Sequence, residues 1–212
     1  MNWTNLSDNV RKHFFLATFI LGLTFAGYAQ EKPFSKLKQK FEQGAIFNAQ
    51  FQHQSVDSYT QDTVASRGQI WVGERQYKVR AQKQTVVVDG QTSMVFDDNR
   101  NRVIISKYVP EEDDFAPSRI LNGVDSTFAV EEQRRDGDQI YIRLSSDDAF
   151  AMYKKVEIYL SEALIPQKIR AVDPVDNVIT TTFKDGSFVS AQKGMFVLKY
   201  PDSAEVVDMR NK

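Results

Sequence analysis

"TVVVDGQTSMVFDDNRNRVIISKY", residues Thr85 to Tyr108, carries apolar side chains on both faces of its strands. Asp89-Gly90 is a tight-turn pair, because Asp-Gly tolerates the positive φ that a short hairpin needs. "FDDNRNRV" supplies a second, longer turn. A hairpin with one wetted face would alternate apolar and polar residues. Here Val86, Val88, Met94, Phe96, Val103 and Ile105 are read as one set, and Val87, Val95 and Ile104 as the other. Both sets need cover, so this is a sheet with something on each side.

The same alternation extends outward. "IFNAQFQHQS" places Phe47, Ala49 and Phe51 on one face, and "RGQIWVGERQYKVRAQ" continues with Ile70, Val72, Tyr77, Val79 and Ala81. Asp136-Gly137 and Asp185-Gly186 read as two more hairpin turns. The later runs "TFAVEEQ", "QIYIRL", "KKVEIYL", "PQKIRAVD", "VITTTF" and "MFVLKY" bring the expected strands to about ten or eleven. Before them, "PFSKLKQKFEQG" predicts a short amphipathic helix with Phe34, Leu37 and Phe41 on one face. Pro33 stands at its start and Gly44 just past its end. "VPEEDDFAPSRILNGVDS" breaks the rhythm with four consecutive acids, two prolines and a helical turn. Long excursions of this kind in compact domains tend to be functional or disordered, and Ile120 and Leu121 argue against disorder.

Arg11 and Lys12 precede the apolar run "HFFLATFILGLTF", which ends in "AGYAQ". That is the layout of a secretory signal peptide, with cleavage expected after Ala29. The run is short of the roughly 20 residues that span a bilayer. Residues 1–29 are therefore expected to be a signal peptide and 30–212 one domain. No cysteine is present, so neither a disulfide framework nor lipidation of a cysteine after the leader is expected. The chain has a formal charge of −1. Removing Asp8, Arg11 and Lys12 would leave about −2, which gives no reason to expect nucleic acid or an anionic membrane.

Catalytic chemistry finds little to work with. After the leader one histidine remains, His53, in the polar-looking "FQHQS", where a solvated imidazole is expected. No zinc spacing or phosphate loop occurs, and "DDNRN" lacks the glycine and terminal acid of a calcium loop. Paired carboxylates could come from Glu111–Asp114, Asp147-Asp148 or Asp173 and Asp176, but acid clusters in loops are usually solvated. A binding protein with no cofactor or metal is expected. The apolar inner face fits either a solid sandwich core or a cavity, with Trp71, Tyr77, Phe47 and Phe51 as aromatic walls. Pattern alone leaves both open.

In chain order, "GQIWVGERQYKVR", "VVVDGQTSMVFDDNRNRV", "SRILNG" and "IRAVDPVDNVITTTFKD" resemble the periplasmic lipoprotein carrier family, the LolA-like proteins. The matching segments are Gly68–Val72, Tyr77–Arg80, Asp89–Asp97, Ile120–Gly123 and Asp173–Thr181. The resemblance implies a mainly β (α+β) fold: an incomplete, strongly curved antiparallel β-barrel with an N-terminal helix and a helical lid loop. Its apolar cavity would hold the acyl chains of a lipoprotein. The lining implied here is Phe47, Phe51, Trp71, Tyr77, Val79, Val86, Val88, Met94, Phe96, Val103 and Ile105. Phe115, Ile120 and Leu121 would belong to the lid, and Arg75 is the nearest match to the family's lid latch. The family's Arg-Pro after the Trp strand is absent from "WVGERQY", as is the proline after the "FDD" turn. The implied partners are acylated lipoproteins, an inner-membrane lipoprotein-releasing ABC transporter and an outer-membrane acceptor. The implied setting is a monomer in the periplasm of a Gram-negative-type envelope. A generic lipid-binding or envelope-sensing module, or an exported structural β-protein with a solid core, are the alternatives.

Overall fold

In the computed structural model the described residues are 32–110, 113, 120–121 and 128–211. The expected signal peptide and Phe115 lie outside them. The described residues open with helix α1 (Pro33–Glu42), then strands β1 (Ala45–Val56), β2 (Thr63–Val72), β3 (Tyr77–Ala81) and β4 (Gln84–Val88). β5 (Thr92–Asp97), β6 (Arg102–Lys107), β7 (Ala129–Asp136) and β8 (Gln139–Ser145) follow. β9 (Lys155–Ser161), β10 (Pro166–Val172), β11 (Val178–Ser190) and β12 (Glu205–Asp208) complete the order.

All twelve strands form one sheet in the order β12-β6-β5-β4-β3-β2-β1-β11-β10-β9-β8-β7. Within the two runs β1–β6 and β7–β11, consecutive strands are antiparallel neighbours. The long strands β1 and β11 pair at the centre, joining the two meanders. β12 and β7 are the two edges, so the sheet curls without closing. The curl shows in the core. Tyr77, Val79 and Val88 of β3 and β4 share one buried cluster with Ile142, Val156 and Ile158 of β8 and β9, far apart in strand order. α1 lies in this concavity, burying Phe34, Leu37 and Phe41 as its periodicity predicts. Each buried side chain of that size contributes about 1.5–3 kcal/mol. The mainly β, strongly curved and incomplete barrel with an N-terminal helix is the architecture expected from the sequence.

Two glycines mark where backbones crowd. A Cβ on Gly68 would sit 1.9 Å from the Arg80 carbonyl, so β2 and β3 approach there as only glycine allows. A Cβ on Gly186 would meet the Phe47 ring and Ile165 at 3.0 Å. Asp185-Gly186 is not the hairpin turn that its sequence suggests. It lies inside β11, where Asp185 takes φ 53° and the register to β1 slips between Asn48 and Gln50. This is a β-bulge, which bends the strand and sharpens the curl.

The C-terminal end also departs from expectation. "MFVLKY" forms no strand, and the strand that does form, β12, was not expected. β12 runs parallel to β6 and brings the C-terminal segment across the outer side of β4–β6.

Candidate functional site

Register settles which residues face the concavity, because directly paired residues point to the same side of a sheet. One inward row runs Phe47–Val72–Tyr77–Val88–Ser93 across β1 to β5. The next runs Ala49–Ile70–Val79–Val86–Val95–Ile104 across β1 to β6. Phe51 heads a third row, beside Gly68 and Ala81. Phe47, Phe51, Tyr77, Val79, Val86 and Val88 therefore share the concave face, as the sequence reading has them.

Met94, Phe96, Val103 and Ile105 do not. They point outward with Val87, against Phe196, Leu198 and Ala204 of the C-terminal segment. The sequence reading carried even-numbered parity straight through the Asp89 turn. The turn instead pairs Val88 with Ser93, so even residues of β4 face the same side as odd residues of β5. Trp71 is also outward, opposite in alternation to Ile70 and Val72, with the Lys78 ammonium 5.6 Å from its ring centroid. The same register reveals two inward residues absent from the expected lining, Val95 and Ile104. Counting pairs through the turn, rather than residues along the chain, would have found them.

The concave face has a filled part and an open part. On β1–β3 the row residues Phe47, Ala49, Ile70, Val72, Tyr77 and Val79 are buried. Ile120 and Leu121, both helical, press onto this floor and are 2% and 0% exposed. Further along the same rows Ala81, Val86, Val95 and Ile104 are only half-buried. Val95 and Ile104 belong to neither buried cluster. They form an apolar wall outside both buried clusters of the described residues.

A carboxylate ties the segment after β6 to this floor. The Tyr77 hydroxyl donates to Asp113 Oδ1 at 3.2 Å and the Tyr108 hydroxyl to Asp113 Oδ2 at 2.8 Å. The two rings meet edge to face with centroids 6.4 Å apart. Burial, then the Asp113 charge and Tyr108, push the Tyr77 phenol well up, so it stays a donor throughout the physiological range. Arg75 is exposed in the β2–β3 turn and makes no ion pair with a described residue. Among the described residues, this segment is anchored by the tyrosine pair on Asp113.

His53 is half-buried on the inner face rather than solvated, and its Nδ1 lies 2.9 Å from Thr181 Oγ1. Burial pushes its pKa down. Among the described residues no group of three or more His, Cys, Asp or Glu could hold a metal ion. Among them no helix is long and apolar enough to cross a membrane.

The model of the family described as outer membrane lipoprotein carrier protein LolA matches residues 42–199, the whole curled sheet except its last strand. The chain belongs to the LolA family. Members of this family are periplasmic lipid- or lipoprotein-binding proteins rather than enzymes. No curated protein matches the chain by sequence. Among solved structures, it is similar to an uncharacterized conserved protein from Thermus thermophilus, with a TM-score of 0.54 at 13% identity. That match covers 82% of this chain and 98% of the other. A LolA superfamily protein from Nitrosomonas europaea matches with a TM-score of 0.41 at 11% identity, covering 77% and 97%. At such identities the likeness speaks for the fold alone.

Proposed function

We propose that this protein is a periplasmic lipoprotein carrier, holding the acyl chains of its cargo on the concave face between β3–β6 and the segment bearing Ile120 and Leu121. The observation that supports it is the half-buried apolar wall of Val86, Val95 and Ile104, continuous with a floor now filled by Ile120 and Leu121. A triacyl group has tens of methylenes, each costing about 0.8 kcal/mol in water. Crossing an aqueous compartment therefore needs an apolar container that closes when empty. Ile120 and Leu121 serve as the protein's own stand-in for cargo and move aside when acyl chains enter. The Tyr77–Asp113–Tyr108 contact is the hinge post about which they move. Cargo comes from an inner-membrane lipoprotein-releasing ABC transporter and leaves to an outer-membrane acceptor, with the carrier a monomer exported by residues 1–29.

The test is displacement of a fluorescent fatty acid from the domain by a synthetic triacylated lipopeptide. Ile104→Glu, which puts a charge on the open wall, is expected to weaken probe binding at least tenfold while the domain stays folded. Probe binding that survives Ile104→Glu and Val95→Glu unchanged would remove the acyl chains from this face.

A further inference from the structure

The outer face of β7–β11, β1 and β2 carries a charge pattern that the near-neutral whole chain conceals. One cross-strand row runs Arg134–Tyr141–Tyr159–Lys168–Thr182–Gln52–Arg67 over seven strands. At strand spacings of about 4.8 Å it spans roughly 30 Å. Cations lie on both of its aromatic rings: Arg134 is 4.2 Å from the Tyr141 centroid and Lys168 is 3.9 Å from that of Tyr159.

Two acids beside this row, Glu157 and Glu132, are already paired. Glu157 is shared by Lys155 at 3.0 Å and Arg170 at 3.3 Å and accepts from the Tyr141 hydroxyl. Glu132 is shared by Arg143 at 3.4 Å and Arg134. At the other end, Arg67 and Lys184 make no ion pair with a described residue. They flank two adjoining grooves of about 400 and 290 Å³, walled by the amides of Gln52 and Gln54 and the hydroxyls of Thr180 and Thr182. Past the grooves, burial and then the charges of Arg80 and Lys199 push the Lys78 ammonium down. Arg67, Lys168 and Lys184 make no ion pair with a described residue, so no carboxylate there offsets their mutual repulsion.

We propose that this outer face docks the protein on an anionic phospholipid bilayer, with lipid phosphates seated in the grooves beside Arg67 and Lys184. Three features favour a bilayer over an acidic protein. The cations are spread along the outside of the curl rather than gathered round one pocket. Beside them stand half-buried Tyr159, next to Lys168, and half-buried Trp71, on the same side of β2 as Arg67, part of the Trp, Tyr, Lys and Arg mixture of membrane interfaces. The grooves also offer the side chains of Gln52, Gln54, Thr180 and Thr182 to a polar headgroup, beside Ala65 and Phe51. Docking on the outer face leaves the concave face free, so the inference does not rest on what that face carries.

Co-sedimentation of residues 31–212, a compact unit by itself, with large unilamellar vesicles tests this. Omitting the apolar N-terminal run prevents it from partitioning into the vesicles on its own account. Binding is expected to phosphatidylcholine vesicles containing 30% phosphatidylglycerol in 50 mM NaCl, and not to phosphatidylcholine alone. Raising NaCl to 500 mM should abolish it, since screening shortens the reach of the field. Arg67→Glu with Lys184→Glu should lower the bound fraction at least fivefold. Lys83→Glu with Arg100→Glu, the same charge change in turns off this face, should leave it within twofold. Equal binding to both vesicle types, equal loss in the two variants, or no binding at all would overturn the proposal. Retention by poly-glutamate beads with none by vesicles would overturn the bilayer assignment as well.

Discussion

Strands β4–β6 are apolar on both sides, and the two sides are covered in opposite ways. Outward, Val87 and Val103 are fully buried, with Leu198 and Phe96 at 7% and 9% exposed. Their cover is tied down by backbone: β12 pairs with β6, and the Met209 amide donates to the Ile105 carbonyl at 2.8 Å. Arg102 and Glu205 add an ion pair at 2.9 Å. Inward, Val88 is fully buried, but Val86, Val95 and Ile104 are only half-buried. Their neighbours are covered by two side chains, Ile120 and Leu121, on a segment tied to the floor through a carboxylate held between two tyrosines. A ladder of backbone bonds suits a permanent core. Side-chain packing with a few hydrogen bonds suits a cover that must come and go.

Leu198→Ala should show the largest effect, because it attacks the permanent side. It should lower unfolding free energy by about 2–5 kcal/mol, read from denaturant melts, without changing acyl-probe affinity below the melting temperature. Ile104→Ala should reverse that pattern, with a stability loss of about 1 kcal/mol or less and a clear fall in probe affinity. If the two variants behaved alike, the two faces would not differ in kind.

Ile120→Ala with Leu121→Ala sharpens the comparison. Emptying the filled floor should destabilise the free protein, yet acyl ligand should raise the melting temperature of this variant more than that of the parent. Equal ligand-induced shifts would make the two residues ordinary core. Tyr108→Phe tests the tie itself. Loss of a hydrogen bond to a charged group, about 1.5–3 kcal/mol, should speed amide exchange around Asp113 and leave β8–β10 unchanged. Uniform acceleration across the domain would instead mean global destabilisation.

The smallest effect concerns His53. Burial holds its folded pKa below the unfolded value near 6.5, so the folded state binds fewer protons. Its contribution to stability is complete above the unfolded value and is lost as pH falls from there through the folded one. His53→Gln should flatten that part of the pH–stability curve. An unchanged slope would assign it to the carboxylates.

Much of this was legible in the sequence, and the misses have physical causes. α1 could be read because Phe34, Leu37 and Phe41 recur at helical spacing under a proline start. β1, β3 and β8–β10 could be read because their alternation is clean. The lining failed at one place, the Asp89 turn, where parity changes between β4 and β5, and that single step turned Met94, Phe96, Val103 and Ile105 outside in. Trp71 misled because its size, not its position in the alternation, suggested a wall. β12 is four residues whose partner lies a hundred positions away, and a short parallel pairing leaves no local pattern. Asp113 stands in a run of four acids, and nothing local singles out the one that two tyrosines will hold.

The most direct test of the central claim is native mass spectrometry of the domain purified from a periplasmic extract of its own host, beside its Ile104→Glu variant. The account predicts an adduct that fragments to an acylated polypeptide, present on the parent and depleted on the variant. A clean unbound mass that also refuses added triacylated lipopeptide would contradict it and leave the concave face an ordinary core.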